Sequence, residues 1–389
     1  MKSIITKGHS HVSIGEKAVV VSCDMITAYG HGADACWNGI LSGISAIAKF
    51  DRFNTSAFQS DFAAIVRGLT YLRKDSLVMQ MLKLLFDKSS VSIPADSRLI
   101  LATTKGEIDI LEKNLLVGTG DAAGCKLNHL LRKVALLTGV KNSGMVVSAA
   151  CASGSAAIAR AAAGIRQGFF DSVLVAACDS VTEFVFAGFS SLMALDKLPA
   201  RPFDKDRNGL SLGEAAAYAL IMSESRAKKE KRRILGEISG WGLSDDANHM
   251  TGPSRTGDGL SLAITKAMKT ADIDENNIGF ISAHGTGTVY NDAMEIKSFN
   301  SIFNMKKKPV YSIKGGLGHT MGAAGLVETI IALRALKEKT VPPTVNLKNA
   351  GDDANGWASR RKRSIGSNKK ALLTNAGFSG INAALVLAP

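Results

Sequence analysis

Short apolar runs alternate along the chain with longer segments in which apolar residues recur every three to four positions. The runs predict strands that are buried on both faces, and the longer segments predict helices that pack on them. In the first half of the chain the predicted strands are residues 18–22, 98–103, 145–148, 172–177 and 215–222, and the predicted helices are residues 76–85, 153–166 and 183–195.

The same alternation begins again in the second half. Its predicted strands are residues 234–241, 278–283, 309–312 and 371–375, and its predicted helices are residues 259–270, 292–300 and 325–337. A charged stretch, residues 223–233, separates the two series. Strands that alternate with helices predict an α/β architecture rich in parallel strands. We therefore expect two similarly built halves, residues 1–225 and 226–389.

The composition is that of a globular protein with a strong positive charge. The chain has 389 residues, of which 46% are hydrophobic and 21% are charged, and its formal net charge is +13. This excess implies acidic partners, whether nucleic acid, a membrane surface or an acidic protein. The basic runs at residues 226–233, 306–308 and 360–363 lack interleaved aromatic residues and a base-reading motif. A solvated surface is their ordinary interpretation, and we expect no nucleic-acid binding.

The cysteines indicate a reducing compartment. There are five of them, and they form no CxxC pair, which argues against a disulfide scaffold or a zinc ribbon. The N-terminal segment lacks the apolar centre of a signal peptide, and no stretch resembles a membrane span. We expect a cytoplasmic protein that does not insert into a membrane.

Cys151 is the first candidate for chemistry. It follows a predicted strand through a turn of tiny residues and stands just before the helix predicted at residues 153–166. A helix N-terminus favours the thiolate, and the small neighbours let a substrate approach the sulfur. The alternative is a buried structural cysteine, which is the usual state of a free cysteine.

Two histidines and a lysine stand on glycine-rich loops in the second half. His284 ends a predicted strand, where catalytic groups of α/β folds gather, although a lone loop histidine is more often a surface or satisfied residue. Glycines separate Lys314 from His319, so both side chains can turn toward one point. The small-residue helix that follows can pack closely on another backbone. Glu328 in that helix can anchor Lys314; the alternative makes both of them solvated charges.

Phe378 is the last candidate, in a short run between Gly377 and Gly380. An aromatic residue flanked by glycines can swing, and its backbone N–H can point into a cavity. Otherwise Phe378 is a core residue at the end of a strand, which is the commoner situation.

Taken in this order, the four motifs resemble those of the β-ketoacyl-[acyl-carrier-protein] synthases, in the elongating Cys-His-His class of the thiolase superfamily. The segments RPFDKDRNG and GE within residues 201–214, and NDAME at residues 291–295, are similar to further signatures of the family, and the resemblance runs over residues 17–387. The residues that match the main motifs are Cys151 in AACASG (nucleophile), His284 in AHGTGT and His319 in GHTMGAAG (active-site histidines), Lys314 (the family's lysine) and Phe378 (its gating phenylalanine).

The resemblance implies a thiolase-like, five-layered αβαβα fold and a decarboxylative condensation. An acyl group moves from a carrier thioester to Cys151, with the backbone amides of Cys151 and Phe378 as oxyanion donors. A malonyl thioester then loses carbon dioxide. His284 and His319, both neutral, donate through Nε2–H to the oxygen of the resulting enolate.

The resemblance also implies what surrounds the reacting groups. Lys314 and Glu328 form a supporting pair that sets His319 and the potential of the site. No metal or organic cofactor is needed, because the substrates arrive on the phosphopantetheine arm of acyl carrier protein. That carrier is acidic, so the positive charge acquires a partner. By alignment with the family, the residues of a basic docking rim are Arg73, Lys74 and Lys197, followed by Arg67.

The same residues exclude neighbouring subfamilies. Degradative thiolases use a second cysteine near the C-terminus, and this chain has none after Cys178. Chain-initiating synthases carry Asn where His319 stands, and chain-length-factor subunits replace the nucleophile. The alternative function is a non-catalytic, chain-length-factor-like partner subunit of a ketosynthase heterodimer. A homodimer and a heterodimer are both compatible with the sequence.

The chain departs from the family pattern at three places. Ser379 stands where the family usually has Gly, so we expect a different gate or pocket shape. The run GEAAA at residues 213–217 replaces the usual GEGAG, which indicates altered packing. The segment 60–120, which helps form the dimer interface and acyl tunnel in the family, is short. A specialised polyene, polyketide or unusual-lipid pathway is therefore as compatible with the sequence as bulk fatty-acid synthesis.

Overall fold

The strands and helices follow the predicted alternation. The computed structural model describes residues 15–89, 91–119, 122–142, 144–304, 306–367 and 369–389. Residues 1–14, on which the expected absence of a signal peptide rests, lie outside these ranges. The strands are β1 (Ala18–Thr27), β2 (Gly30–His31), β3 (Ala48–Lys49), β4 (Phe62–Ala64), β5 (Arg98–Ala102), β6 (Met145–Val147), β7 (Ser172–Asp179), β8 (Leu212–Gly213), β9 (Ala215–Ser223), β10 (Gly236–Asp245), β11 (Ile278–Ser282), β12 (Val310–Tyr311), β13 (Thr340–Val341), β14 (Arg363–Ser364), β15 (Lys370–Ala376) and β16 (Ile381–Ala388).

The helices include every predicted one and several more. None within the described ranges combines the length and the apolar character needed to cross a bilayer. They are α1 (Ala33–Ser42), α2 (Leu77–Asp87), α3 (Ile108–Val117), α4 (Leu127–Thr138), α5 (Ser153–Arg166), α6 (Glu183–Ser191), α7 (Glu224–Lys229), α8 (Asp258–Thr270), α9 (Val289–Ile302), α10 (Lys314–Leu317) and α11 (Ala324–Lys337).

The main sheet repeats one strand order twice. Its path is β12-β11-β15-β16-β10-β1-β9-β7-β5-β6. Counted along the chain, the five strands of this path in the first half are β1, β5, β6, β7 and β9, and those in the second half are β10, β11, β12, β15 and β16. In each half the first strand lies beside the fifth, which is followed by the fourth, the second and the third. In both halves the first two pairings are antiparallel and the last two are parallel. The two similar halves of a thiolase-like α/β fold are thereby confirmed. The division at residue 225 stays a prediction and falls inside α7, which joins β9 to β10.

The expectation of a mainly parallel sheet is wrong for the inner strands. β1, β9, β10 and β16 pair antiparallel, although β9 is buried along its whole length. Helices cover both faces of these strands, so the strands are apolar whether the neighbouring strand runs parallel or antiparallel. Residues 370–388 contain two antiparallel strands, β15 and β16, joined by residues 377–380. Both strands are apolar, so their composition did not show the turn between them.

Helices α5 and α11 form the central layer between the two halves of the sheet. Each packs on strands of both halves, while α2 covers the outer face of the first half and α8 that of the second. The two central helices meet at glycines. A Cβ on Gly154 would stand 2.7 Å from the amide nitrogen of Leu326, and one on Gly325 would overlap the amide of Ser155. The predicted close packing of the small-residue helix on another backbone is confirmed, and it brings the N-terminal ends of α5 and α11 together.

Candidate active site

Cys151 lies in the turn between β6 and α5. Ala150 adopts a positive φ of 46°, which turns the chain sharply before the helix. The Ser153 hydroxyl closes the turn, donating to the carbonyl of Ala150 at 2.6 Å and accepting the N–H of Ala149 at 2.9 Å. α5 begins at Ser153, so Cys151 stands at the helix N-terminus, as the sequence predicts. It is buried.

Burial dominates the chemistry of the Cys151 thiol. It raises the pKa of Cys151 above the ordinary value, against the opposing charges of Lys105 and Lys314 and the backbone N–H of Phe378. Desolvation is the largest of these influences and disfavours the thiolate, opposite to the preference expected from the helix N-terminus. The amide of Phe378, within hydrogen-bonding reach of the sulfur, is well placed for an oxyanion.

His284 follows β11, and its ring is oriented from both sides. Glu295 on α9 accepts the backbone N–H of His284 at 2.8 Å and that of Gly285 at 2.6 Å, which fixes the loop. Two donors face Nδ1: the Lys314 ammonium at 3.2 Å and the Asn375 amide nitrogen at 3.3 Å. Nδ1 is therefore the acceptor, and Nε2 carries the proton. Burial, followed by the charge of Lys314, holds the pKa of His284 well below its usual value.

His319 reaches the same protonation state by a different contact. The backbone N–H of Met321 donates to its Nδ1 at 3.2 Å, so Nε2 again carries the proton. Nε2 is buried and has no hydrogen-bond partner among the described residues. Burial and the charge of Lys314 lower the pKa of His319 well below its usual value. Both imidazoles are neutral Nε2–H donors, as the resemblance implies.

Cys151, His284 and His319 converge at one point. Their sulfur and nitrogen atoms lie within 4.8 Å of one another, and the two imidazole rings meet edge to face with centroids 5.0 Å apart. All three line a cavity of about 440 Å³. Phe189 and Phe378 line it as well, with ring centroids 5.6 Å apart. A substrate that enters this cavity meets the thiol and both imidazoles at once.

Lys314 and Glu328 form the expected ion pair, but it serves His284 rather than His319. Both side chains are buried. The ammonium donates to Glu328 Oε1 at 2.5 Å, to the carbonyl of His284 at 2.6 Å and to His284 Nδ1 at 3.2 Å, which uses its three protons. It acts on His319 only through its charge. Lys314 opens α10, which directs its side chain toward the end of β11.

Comparisons with known proteins agree with this arrangement. Residues 113–227 match the N-terminal domain of β-ketoacyl synthase, and residues 235–348 match its C-terminal domain. The 3-oxoacyl-[acyl-carrier-protein] synthase 2 of Mycobacterium leprae is 31% identical over 94% of this chain and 95% of its own length. That of Vibrio cholerae is 29% identical over 95% of this chain and 98% of its own length. The solved ishigamide ketosynthase/chain length factor has a TM-score of 0.86 at 28% identity, covering 96% of this chain and 99% of its own.

The chain belongs to the β-ketoacyl synthase family. It is an acyl-transferring condensing enzyme, and the alternative of a non-catalytic subunit is not favoured. The resemblance inferred from the four motifs is confirmed, together with the thiolase-like fold. The roles of the individual residues stay predictions, to which the geometry adds detail.

Sequence reasoning missed three side chains that orient the site of this β-ketoacyl synthase. Asn375 donates to Glu328 Oε2 at 2.6 Å, faces Nδ1 of His284 and accepts from Ser155 of α5. Glu295 holds the His284 loop, and Asp179 contacts the turn after His319. Glu295 lies within the NDAME motif, and Asn375 ends the strand predicted at residues 371–375, just before the run that carries Phe378; these positions are the signal that could have pointed to them. No local pattern marks Asp179.

The four residues predicted to dock a carrier lie apart from the catalytic group. Arg67, Arg73, Lys74 and Lys197 are exposed, and none is among the described residues that line the cavity. Lys197 follows the cavity-lining segment 192–194, while the other three lie between β4 and α2. These four residues therefore do not contact the catalytic group, and their role in carrier docking stays a prediction.

The departure at Ser379 has a backbone consequence. Ser379 has a φ of 68°, in the left-handed region that a glycine adopts freely. Its N–H donates to the carbonyl of Met250 at 2.6 Å, so the loop that carries Phe378 is tied to a second loop. A serine here restricts the backbone more than a glycine would.

The Cys151, His284 and His319 set resembles a zinc-ligand set in its residue types. A histidine ligates through a nitrogen that bears no proton, so ligation by the two Nε2 atoms would place protons on both Nδ1 atoms. Those atoms face the donors of Lys314, Asn375 and Met321. The surrounding hydrogen bonds therefore oppose metal ligation. That no cofactor is needed stays a prediction.

Proposed function

We propose that this β-ketoacyl synthase lengthens acyl groups by two carbons, taking both the acyl group and the malonyl unit from acyl carrier protein. The observation that carries the proposal is the convergence of the Cys151 thiol with two imidazoles that are both preset as Nε2–H donors. A buried nucleophile next to two neutral donors suits covalent acyl transfer followed by stabilisation of an enolate.

In the first half-reaction Cys151 Sγ attacks the carbonyl of the acyl thioester. The oxyanion that forms is held by the backbone amides of Cys151 and Phe378. The carrier thiol then leaves with a proton, and the acyl group stays on the sulfur as a new thioester. The raised pKa of Cys151 means that the thiol must lose its proton as the attack proceeds.

In the second half-reaction a malonyl thioester loses carbon dioxide, and its electrons form an enolate. His284 and His319 donate Nε2–H bonds to the enolate oxygen. Because their pKa values are held well below 6.5, both stay neutral at physiological pH and release no proton to the carbanion. The carbanion then attacks the acyl thioester on Cys151, which expels the thiolate and yields a β-ketoacyl product.

Lys314, Glu328 and Asn375 form the support beneath His284. The ammonium and the amide both present donors to Nδ1, and Glu328 accepts from both of them. The arrangement keeps the proton of His284 on Nε2, and all three supporting side chains are buried. In this proposal the three residues position His284 and do not touch the substrate.

The carrier protein delivers both substrates, and no further cofactor takes part. The curated relatives are named for acyl carrier protein, and the cavity that Cys151 lines, about 440 Å³, is within the usual size range of small-molecule sites. An acidic carrier suits the net charge of +13, with attraction that extends beyond direct contact. The docking rim comprises Arg73, Lys74 and Lys197, followed by Arg67.

The functional unit in this proposal is a homodimer formed through β6. Among the described strands β6 pairs only with β5, so its other edge is open, and its residues are half-buried. Leu115 and Leu116 at the end of α3 and Leu136 on α4 are exposed apolar side chains. A second copy that pairs along this edge would cover them.

The test is to incubate the purified protein with acyl and malonyl thioesters of a bacterial acyl carrier protein. We expect an acyl mass on Cys151 and a β-ketoacyl product, and Cys151→Ala should reduce product formation by roughly 10⁴-fold or more. The matched control is Cys125→Ala, at a half-buried cysteine outside the cavity, which should keep full activity. In the same assay Lys74→Glu and Lys197→Glu should lose carrier affinity and keep Cys151 reactive. Absence of acyl mass on Cys151 with every carrier-bound chain would overturn the proposal.

A further inference from the structure

The buried carboxylate of Asp179 joins two loops beside the active site. Asp179 is the last residue of β7, and only 2% of its surface is exposed. Its donors are hydroxyl and backbone N–H groups from the loop after β5 and from the turn after His319. Because the carboxylate is buried and accepts several hydrogen bonds, it fixes the positions of the two loops that donate to it.

The turn after His319 is the one that sets the tautomer of that imidazole. Met321 donates its N–H to His319 Nδ1 at 3.2 Å while its own φ is 51°, which is unfavourable for a residue with a side chain. The next N–H, that of Gly322, donates to Asp179 Oδ2 at 2.7 Å. A Cβ on Gly322 would stand 2.6 Å from that oxygen, so the close approach requires glycine. The strained peptide is anchored at Asp179.

The other contacts fix the carboxylate itself. Thr103 Oγ1 donates to Oδ1 at 2.8 Å, and Thr104 donates to Oδ2 from its hydroxyl at 2.8 Å and from its N–H at 3.0 Å. Thr103 and Thr104 directly follow β5, which pairs in parallel with β7. The turn is therefore held against the end of a rigid pair of strands.

We propose that Asp179 is a positioning residue for His319, holding the Met321–Gly322 peptide so that the imidazole presents Nε2–H toward Cys151. The inference rests on the proposed function, in which His319 stabilises the enolate and takes no part in acylating Cys151. Loss of the carboxylate then slows the malonyl half-reaction selectively. The acyl half-reaction relies on the amides of Cys151 and Phe378 and is not slowed, because the charge of Asp179 raises the pKa of the Cys151 thiol and its removal eases loss of the thiol proton.

The experiment compares the two half-reactions in Asp179→Asn. Acylation of Cys151 is followed by intact mass, and decarboxylation by release of carbon dioxide from a malonyl thioester of a bacterial acyl carrier protein. We expect decarboxylation to fall by about 10- to 100-fold, whereas acylation should rise or fall by less than about threefold. In protein labelled with ¹⁵N-histidine, the variant should also show a larger share of the Nδ1–H tautomer at His319.

Asp204→Asn is the matched control. Asp204 is equally buried and accepts the backbone N–H groups of Lys348 at 2.7 Å and Asn349 at 2.9 Å, without contact to either imidazole. We expect a loss of thermal stability and an unchanged ratio of the half-reactions. Thr104→Val is a second variant, for the case that Asp179→Asn does not fold. It removes one hydroxyl from Oδ2 and should lower decarboxylation selectively, by about threefold.

Equal loss of both half-reactions in Asp179→Asn or, where that variant does not fold, in Thr104→Val would overturn the inference. It would then give Asp179 a structural role alone. This outcome differs from failure of the proposed function, which would show as a wild-type enzyme that takes no acyl group onto Cys151. An unaltered ratio together with an unaltered His319 tautomer in folded Asp179→Asn would also overturn the inference.

Discussion

The two halves of the molecule use the same strand-to-helix step for different chemistry. In the first half β6 leads to the central helix α5, and in the second β12 leads to the central helix α11. The first connection, residues 148–152, is short and places Cys151 directly at the start of its helix. The second, residues 312–323, is longer and carries Lys314 and His319. The same scaffold therefore supplies a nucleophile on one side and the polar groups on the other.

The difference shows what each connection requires. A short turn of tiny residues places the Cys151 sulfur at the N-terminus of α5, and hydrogen bonds within the turn itself fix it. The longer connection must hold a buried ion pair and an imidazole of defined tautomer. It depends on Glu328 within the helix, Asn375 on β15 and Asp179 on β7. The nucleophile is positioned locally, whereas the polar groups are positioned by distant parts of the chain.

Removing the cation of the longer connection should have the largest effect. Lys314→Met leaves Glu328 buried without its counter-ion, and we expect a loss of about 3–5 kcal/mol in the free energy of unfolding. The double variant Lys314→Met/Glu328→Gln removes both charges and should recover most of that stability. It should not recover condensation, because His284 still lacks the ammonium at Nδ1. Urea unfolding and turnover check this; recovery of both would contradict the assignment.

Lowering the pH should destabilise the protein through the two histidines of the second half. Below pH 6.5 the unfolded chain protonates His284 and His319 while the folded chain does not, because their folded pKa values are well below 6.5. Their contribution to stability is therefore constant above that pH. It falls as the pH is lowered, by at most about 1.4 kcal/mol per histidine for each pH unit. The Cys151 thiol, whose pKa is raised, stays protonated throughout this range.

Two buried carboxyls act with the opposite sign in the same range. Burial raises the pKa of Asp109 to about 6 and that of Glu295 to about 7, so the folded chain binds more protons there. The contribution of the two histidines is therefore obtained by comparing the wild type with a variant that lacks both imidazoles. The melting temperature should fall less steeply on acidification in His284→Gln/His319→Gln than in the wild type. Equal slopes would show that the imidazoles titrate normally in the folded protein.

The crossing of α5 and α11 tests how closely the two halves must approach. Gly154→Ala would push a Cβ against the backbone of Leu326, and we expect a loss of about 1–3 kcal/mol. Gly188→Ala in α6 is the matched control, since nothing lies within 4 Å of its added Cβ. It should gain about 0.5–1 kcal/mol through helix propensity. Thermal unfolding of both variants decides this; equal shifts would contradict the close crossing.

Ser379→Gly should have the smallest effect. The change relieves a φ of 68°, and we expect a net gain of about 0.5–1 kcal/mol after the greater chain entropy of glycine is subtracted. Ser379→Val, which places a branched side chain in the same conformation, should lose stability. The melting temperatures of the two variants should move in opposite directions. A loss in Ser379→Gly would show that the serine side chain itself stabilises the loop.

Much of the fold and of the active site could be predicted from local patterns in the chain. The main strands and helices could be located because short continuous apolar runs differ in length from the longer segments with apolar residues every three to four positions. Cys151, His284, Lys314, His319 and Phe378 were found because each lies in a short motif whose local conformation the small residues dictate. The pairing of Lys314 with Glu328 also followed from their positions around one helix start.

Strand direction, the histidine tautomers and the Cys151 pKa could not be predicted in this way. Strand direction depends on which neighbour a strand meets, so the antiparallel pairing of the inner strands left no trace in their composition. The tautomers of His284 and His319 depend on donors from Lys314, Asn375 and Met321, which converge through folding. The raised pKa of Cys151 likewise reflects the depth of its burial. Such properties arise from contacts between distant segments, which a local pattern does not encode.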